Sequence, residues 1–392
     1  MHRTVGDTIE LPALATAHSH AFQRGMRGLA QRSFEGGAKE DDFWSWREAM
    51  YRLAASLTPE SIYAVSRVAY RELARAGVAT VGEFHYVHHQ ADGTPYADRL
   101  ELSHAVIRAA LDEGLRIALL RVVYARAALG RPPEGVQRRF ADASPEAALG
   151  DVEALLAAYA SEPRVRIGVA PHSVRAVPPA WLGTLAEFAA KHALTLHMHV
   201  AEQPAEVEAC RRETGRRPVE HLATLGVLGP RFVAVHATHL GPGEADLLGQ
   251  ARAAVCLCPT TERDLGDGLP DVTSLVAAGV RLSVGVDSHV VCSPLEELRG
   301  IELGERLRTK RRLVVPVEGR TLAEYLWHTG STASAEACGF PDAGGTIRIP
   351  LDAPELALVE RERLLDAIVF SGTDRLFSLC AAGGASSRRP LP

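Results

Sequence analysis

The sequence lacks the features that mark membrane-spanning, secreted and nucleic-acid-binding proteins. It has no run of about 18 apolar residues, which a membrane-spanning helix would need. Residues 1–14 lack the apolar stretch of a signal peptide. The formal net charge is −5, so there is no basic excess to attract a nucleic acid. We therefore expect a cytoplasmic protein with no nucleic-acid partner and no membrane partner.

Cysteine is scarce and follows no pattern of disulfide or metal chemistry. None of the six cysteines forms a Cys-x-x-Cys pair. A disulfide framework is not expected in a chain of this size without a secretion signal. Cys256 and Cys258 stand two apart in an apolar run, where free cysteine usually packs as a small hydrophobic residue.

Short apolar runs alternate with amphipathic stretches along most of the chain. This alternation predicts an α/β fold, a parallel sheet with helical crossovers. Eight strands are the number in a closed (β/α)8 TIM-like barrel. A doubly wound open sheet is the rival, but no Gly-x-Gly-x-x-Gly motif follows the first strand to favour it. The predicted strands are 14–18, 78–84, 117–124, 165–171, 194–200, 232–238, 253–259 and 282–288.

The connecting segments also carry information. The best-marked helix is 58–77, with Thr58 as N-cap, Pro59 at the first helical position and Gly77 at its end. Long segments follow the first three strands and would lie at the C-terminal mouth of a barrel, where substrate loops belong. The chain after about 341 is predicted to be short and irregular, with 381–392 disordered by composition.

Polar side chains collect where the predicted strands end. The first strand ends in His-Ser-His, and a spacing of two places both imidazoles on one side of an extended chain, as a zinc chelate requires. Because the carboxyl ends of barrel strands meet at one mouth, ligand-type residues on four strand ends predict a metal site. These residues are His18, His20, His199, Glu202, His236 and Asp287.

Several of these segments resemble the amidohydrolase superfamily and, more narrowly, the formimidoylglutamate deiminases. The resemblance covers roughly residues 11–340, and the FWSWRE and PHSVRA segments narrow it to the deiminases. The segments are HSHAFQRGMRGLA (18–30), FWSWREAMYRLA (43–54), VGEFHYVHH (81–89), APHSVRAV (170–177), HMHVAEQ (197–203), VHATHL (235–240) and GVDSHV (285–290).

The resemblance implies a role for each matching residue and a reaction, the hydrolysis of N-formimino-L-glutamate to N-formyl-L-glutamate and ammonia. Metal ligands would be His18, His20, His199 and Asp287. Glu202 and His236 would act as the acid–base pair, with Asp287 also taking a proton. The substrate, a small dicarboxylate, would be contacted by Gln23, Arg47, Tyr86, His172 and Arg175.

The metal content follows partly from the donor types. Imidazole and carboxylate ligands suit Zn²⁺, with Fe²⁺ as the alternative. Two-metal relatives bridge their ions with a residue from the fourth strand, and here VRIGVAPHS (165–173) ends without Lys, Glu or Cys. We therefore expect one zinc ion per chain. Two carboxylates on the substrate call for two guanidinium groups, which Arg47 and Arg175 supply.

The sequence departs from the resemblance at both ends. Family members usually begin with strands that join C-terminal strands in a small β-sandwich, whereas only about a dozen residues precede the first strand here. We therefore expect residues 1–10 and 341–380 to form a reduced β-sandwich remnant beside a barrel spanning 11–340. A homodimer is the candidate assembly. The alternatives are another amidohydrolase, such as an imidazolonepropionase or an aminopurine deaminase, and a non-catalytic barrel scaffold.

Overall fold

The structure is a computed structural model that describes residues 3–29, 31 and 43–381. The strands in these residues are β1 Arg3–Val5, β2 Thr8–Pro12, β3 Leu14–Thr16, β4 Val78–His85, β5 Arg116–Val123, β6 Val165–Pro171, β7 Leu196–Val200, β8 Phe232–His236, β9 Ala254–Leu257, β10 Arg281–Val284, β11 Gly345–Pro350 and β12 Ser378–Ala381. 

Helices connect most of these strands. In chain order they are α1 Phe43–Ser56, α2 Pro59–Arg75, α3 Glu101–Asp112, α4 Pro145–Ala158, α5 Pro179–Lys191, α6 Pro204–Thr214, α7 Pro218–Thr224, α8 Glu244–Gln250, α9 Pro259–Leu265, α10 Val272–Ala277, α11 Pro294–Thr309, α12 Leu322–His328, α13 Ser334–Ala337 and α14 Leu364–Ser371. No helix among the described residues is long and apolar enough to cross a bilayer.

Strands β3 to β10 pair in parallel in chain order and form a barrel. The barrel closes between its first and last strands, where Ala17 N–H donates to the carbonyl of Val284 at 2.7 Å. Just beyond, Asp287 N–H donates to the carbonyl of His18 at 3.1 Å. The predicted (β/α)8 barrel is therefore confirmed, and the eight predicted strands correspond to β3–β10. This closure brings the first and last strand ends, which carry the predicted metal ligands, side by side.

The helix predicted at 58–77 illustrates how local sequence fixes local structure. Thr58 accepts a hydrogen bond from Ser61 N–H at 3.2 Å, and Pro59 begins α2. The helix stops before Gly77, whose φ of +83° is left-handed. A Cβ at Gly77 would lie 2.6 Å from Cδ1 of Ile347, so this turn also needs a residue without a side chain.

A second, smaller sheet joins the two ends of the described chain in the order β1-β2-β11-β12. All three of its pairings are antiparallel, and β2 pairs with β11. Fully buried Trp327 packs beside it and donates from Nε1 to the carbonyl of Pro12 at 3.1 Å. We propose that this sheet is the reduced appendage expected from the sequence.

Two expectations for the C-terminal segment have different outcomes. The prediction of an irregular segment after 341 is wrong, because β11, α14 and β12 all lie there. β11 is positioned by its pairing with the N-terminal strand β2. Short-range sequence patterns do not reveal such a pairing between distant residues. The disordered tail expected at 381–392 lies outside the described residues, except for Ala381 at the end of β12.

Candidate active site

Four predicted metal ligands converge at the C-terminal mouth of the barrel. Nε2 of His18 lies 3.2 Å from Nε2 of His20 and 3.2 Å from Nε2 of His199. Oδ1 of Asp287 lies 3.4 Å from His18 Nε2 and 3.3 Å from His20 Nε2. All four residues are buried. The structure thus brings together side chains from the segment after β3, from β7 and from the turn after β10.

Two imidazole rings of the cluster, those of His20 and His199, donate a hydrogen bond from the nitrogen that faces away from it. These bonds determine which nitrogen of each ring carries the lone pair. Nδ1 of His20 donates to the carbonyl of Phe84 at 2.9 Å, and Nδ1 of His199 donates to the carbonyl of His172 at 3.2 Å. In the neutral tautomers that these bonds select, the Nε2 atoms carry no proton. The unprotonated Nε2 atoms of His20 and His199 therefore each lie 3.2 Å from Nε2 of His18.

The electrostatics favour neutral imidazoles and an ionised aspartate. Burial lowers the pKa of His18 to about 3, with the neighbouring His20 adding to the effect. Burial also lowers the pKa values of His20 and His199. Burial alone would raise the pKa of Asp287, but its hydrogen bond with His18 and the surrounding imidazoles outweigh burial and lower it.

This donor set fits a metal ion. Three imidazole nitrogens, of which those of His20 and His199 are unprotonated, converge with a carboxylate oxygen in a buried space, and a cation among them would stabilise this arrangement. Tetrahedral zinc with bonds of about 2.0–2.1 Å places its ligand atoms about 3.3–3.4 Å apart. The separations of 3.2–3.4 Å in the cluster match that value.

A glycine makes the close approach of these strands possible. Gly285 directly follows β10 and lies against the segment after β3 that carries His18. A Cβ at Gly285 would lie 2.7 Å from Cβ of His18 and 2.9 Å from its carbonyl oxygen. Any larger residue at Gly285 would push apart the segments that carry the first and last ligands.

The predicted acid–base residues lie beside this cluster. Nε2 of His236 lies 3.7 Å from Oε1 of Glu202 and 3.7 Å from Oδ2 of Asp287. Burial raises the pKa of Glu202 although the charge of His236 opposes it. Burial would lower the pKa of His236, but Glu202 and the other carboxylates outweigh burial and raise it. The pKa values of Glu202 and His236 are therefore both raised, by burial at Glu202 and by the neighbouring carboxylates at His236.

Glu262 is a functional candidate that the sequence did not reveal. Its Oε1 lies 3.3 Å from Nδ1 of His236 and accepts a 2.8 Å hydrogen bond from the backbone N–H of Cys258. With a proton on Nδ1 donated to Glu262, the Nε2 atom of His236 faces Glu202. Glu262 lies on α9, so neither strand-end position nor a motif with known spacing pointed to it.

A cavity opens beside the cluster, and the space within it and its solvent-open mouth together is about 470 Å³. All five predicted substrate contacts line it: Gln23, Arg47, Tyr86, His172 and Arg175. The remaining walls come from three metal ligands, from Glu202, and from the apolar residues Phe43, Trp46, Met50 and Leu265, which the sequence reasoning did not single out. The predicted substrate side chains therefore share one space with the predicted metal ligands.

The polar lining has free hydrogen-bonding capacity. Gln23 donates from Nε2 to Tyr86 Oη at 2.9 Å, while its Oε1 is buried with no partner in the described part of the chain. Arg47 packs over Trp44 at 4.4 Å, and its buried Nε also has no partner there. Burial, with the charges of Arg175 and Arg47, lowers the pKa of His172 well below its ordinary value. Arg175 and Arg47 therefore lie close enough to His172 for their charges to act on the part of the cavity that His172 lines.

Other histidines in the barrel have structural partners. His197 lies one layer below His199 on β7, is fully buried and donates from Nε2 to the carbonyl of Ala337 at 2.8 Å. Nε2 of His289 lies 2.7 Å from Oγ of Ser19, which itself donates to Glu83 at 2.6 Å. Glu83 in turn accepts a 2.8 Å hydrogen bond from Ala21 N–H. This network secures the segment that bears His18 and His20.

Comparison with known proteins agrees with this geometry. The Amidohydrolase family matches residues 9–353. A formimidoylglutamate deiminase from Pseudomonas aeruginosa is 41% identical over 376 residues, covering 93% of this chain and 81% of the relative. An 8-oxoguanine deaminase from the same organism is 30% identical over 387 residues, covering 96% and 80%. A crystal structure of an amidohydrolase from Brucella melitensis superposes with a TM-score of 0.87 at 32% identity, covering 97% of this chain and 91% of that one.

The chain therefore belongs to the amidohydrolase family and is a metal-dependent hydrolase. The resemblance inferred from its motifs is confirmed. Within the family, the similarity to the formimidoylglutamate deiminase exceeds that to the 8-oxoguanine deaminase, 41% against 30% identity.

Proposed function

We propose that the protein hydrolyses N-formimino-L-glutamate to N-formyl-L-glutamate and ammonia. The observation that carries this proposal is that Arg47 and Arg175 line the same cavity as the metal-ligand cluster. The substrate has two carboxylates and one amidine carbon, so it needs two cationic contacts at a fixed distance from the reacting centre. Guanidinium groups bind carboxylates through paired hydrogen bonds. The similarity to a formimidoylglutamate deiminase supports the same substrate.

We assign His18, His20, His199 and Asp287 as the ligands of one Zn²⁺ ion, with Fe²⁺ as the alternative. A metal ion held by such residues supplies a Lewis acid that allows water to ionise near neutral pH. The remaining chemistry falls to side chains of the chain itself. In the net reaction water adds to the formimino carbon, a C–O bond forms, a C–N bond breaks, and the nitrogen leaves as ammonia.

Each proton transfer in this reaction has a candidate residue. Asp287 accepts a proton from the attacking water, and His236, 3.7 Å from Asp287, orients the nucleophile and the adduct. Glu202 carries a proton to the departing nitrogen, a task for a carboxyl group whose pKa is raised by burial. Gln23, Tyr86 and His172 contact the bound substrate from the cavity wall.

Ammonia release tests the proposal directly. Purified protein with stoichiometric zinc should release ammonia from N-formimino-L-glutamate and much more slowly from N-formiminoglycine, which has one carboxylate. Preference for 8-oxoguanine or another aminopurine, or turnover of imidazolonepropionate, would instead identify a different amidohydrolase. A protein that purifies without metal and acts on none of these compounds would be a scaffold.

A further inference from the structure

The carboxyl group of Asp267 lies beside Glu202, and the proposed reaction does not use it. Asp267 belongs to the turn after α9, between Gly266 and Gly268, and is only 3% exposed. One of its carboxyl oxygens, one of Glu202 and one ring nitrogen of His236 all lie within 4.8 Å of one another. Such a separation is within reach of a hydrogen bond through one water molecule.

The backbone of Asp267 is fixed from two sides. Its N–H donates to the carbonyl of Glu262 at 2.9 Å, and its carbonyl accepts from Nε2 of His239 at 2.8 Å. The side chain is therefore held in place rather than free to swing to solvent. Gln203 Nε2 donates to Oδ1, and Oδ2 is buried without a partner in the described chain.

The charged groups around Glu202 favour its ionised form more than those around Asp267 do. Glu202 lies 3.7 Å from His236, and the charge of Arg175 also favours its anion. Asp267 has one neutral donor, Gln203. The titratable groups that act on it are Glu202, His236, Glu262 and Asp287, three of them acids.

Two buried carboxylates this close do not both ionise readily, so one of them retains a proton. The charged groups described above favour that proton on Asp267 rather than on Glu202. Burial, followed by the charge of Glu202, raises the pKa of Asp267 to about 9. The unpartnered Oδ2 is then the atom able to carry the proton and donate it toward Glu202.

We propose that Asp267 stays protonated at neutral pH and serves as a positioning residue for Glu202, by donating a hydrogen bond through one water molecule that holds the Glu202 carboxylate beside His236. This inference rests on the proposed function, in which Glu202 carries the proton to the leaving nitrogen. Asp267 is not itself among the residues that line the substrate cavity, so it acts on turnover through Glu202 and not on substrate affinity.

Three substitutions separate hydrogen bonding from shape and charge. Asp267→Asn keeps a donor in the same place, Asp267→Leu keeps the approximate volume without one, and Asp267→Ala removes both. With N-formimino-L-glutamate we expect kcat of D267N to stay within about threefold of the unmodified protein. We expect kcat of D267L and D267A to fall about 10- to 100-fold with KM nearly unchanged. The exposed Asp246 on α8, changed to Asn, is the control.

Each alternative outcome overturns the proposal. If D267N loses as much activity as D267L, the residue works as an ionised or proton-transferring carboxyl group. If D267L matches the unmodified protein, the hydrogen bond has no function. If KM rises instead of kcat falling, Asp267 contributes to substrate binding.

A second readout does not depend on the reaction. An aspartate that keeps its proton in the folded chain but loses it on unfolding makes stability fall as pH rises above about 3.9. Asparagine does not titrate and therefore removes that loss. The difference in thermal midpoint between D267N and the unmodified protein should increase by at least about 2 °C from pH 5 to pH 8, in favour of D267N. D246N should show no such trend. A constant or shrinking difference would mean that Asp267 is ionised.

The two readouts also separate this inference from the proposed function. If the unmodified protein does not release ammonia from N-formimino-L-glutamate, the proposed function fails. The pH-dependent stability difference still decides whether Asp267 holds a proton.

Discussion

His236 and Asp287 face each other with Nε2 and Oδ2 3.7 Å apart, and both have left-handed backbone conformations, with φ of 70° and 47°. Such conformations cost non-glycine residues about 1–2 kcal/mol each. At Asp287 the cost is offset by two backbone hydrogen bonds to the segment that carries the first two ligands, at 3.1 Å and 2.9 Å. The last residue of β8 and the turn after β10 therefore have strained backbone conformations that direct both side chains inward.

The first prediction concerns metal binding. His199→Asn should lower the zinc content of the purified protein by more than about tenfold, because it removes one of four converging donors. His197→Asn is the matched control, since this residue lies on the same face of β7 and is bonded to the backbone of Ala337. The control should keep about one metal ion per chain while losing some stability. Elemental analysis measures both, and full zinc in the His199 variant would contradict the assignment.

The second prediction concerns proton transfer. Glu202→Gln should lower kcat about 10²- to 10⁴-fold, because glutamine cannot accept and release a proton. KM and zinc content should change little, since Glu202 is not among the proposed metal ligands. Glu208→Gln on the next helix changes an exposed glutamate that pairs with Arg211 and should behave like the unmodified protein. Unchanged turnover in the Glu202 variant would refute its role.

The third prediction concerns the carboxylate contacts. Arg175→Ala should raise KM for N-formimino-L-glutamate about 10- to 100-fold, the equivalent of losing one charged hydrogen-bonded contact. Arg164→Ala removes an arginine that pairs with Glu162 outside the cavity, at 2.9 Å, and should leave KM unaltered. Steady-state kinetics with both variants distinguishes a specific contact from a general charge effect. An unchanged KM in the Arg175 variant would remove this residue from the site.

The fourth prediction concerns pH. Burial, with the charge of Arg121, lowers the pKa of His85 to about 3, and its Nε2 has no partner in the described residues. Below pH 6.5 the unfolded chain takes up a proton on this imidazole and the folded chain does not, so stability is lost as pH falls from 6.5 toward 3. At pH 5 the loss is about 2 kcal/mol for such a group.

Replacing His85 isolates this contribution. His85→Gln should lose less stability than the unmodified protein between pH 7 and pH 5 in urea unfolding. An exposed histidine contributes little to that difference, which makes His192→Gln on the outside of the barrel the comparison. Equal acid sensitivity in the unmodified and His85→Gln proteins would show that His85 is not held neutral.

The barrel and most residues of the candidate metal site were predictable from the sequence. Strands such as β4 and β6 are short apolar runs between helical stretches, and parallel strand ends meet at one mouth whatever the details of packing. The positions of His18, His199 and Asp287 therefore followed from topology once eight strands were recognised.

Glu262 and Asp267 could not be predicted in this way. They lie on α9 and in the turn after it, and their distance from His236 depends on how that helix packs over the strand ends. The register of the β2–β11 pairing could not be read from local patterns either, because its partners are more than 330 residues apart; the expectation that the two ends of the chain form one small sheet came from the resemblance alone.

Because the small sheet joins the two ends of the described chain, the order in which its strands are synthesised affects folding. The hairpin of β1 and β2 emerges from the ribosome early, yet its partner β11 is made only after the whole barrel has been translated. Until then the outer edge of β2 exposes unpaired backbone groups that another chain could capture. Shortening the chain before β11 should therefore promote self-association rather than yield a smaller working barrel.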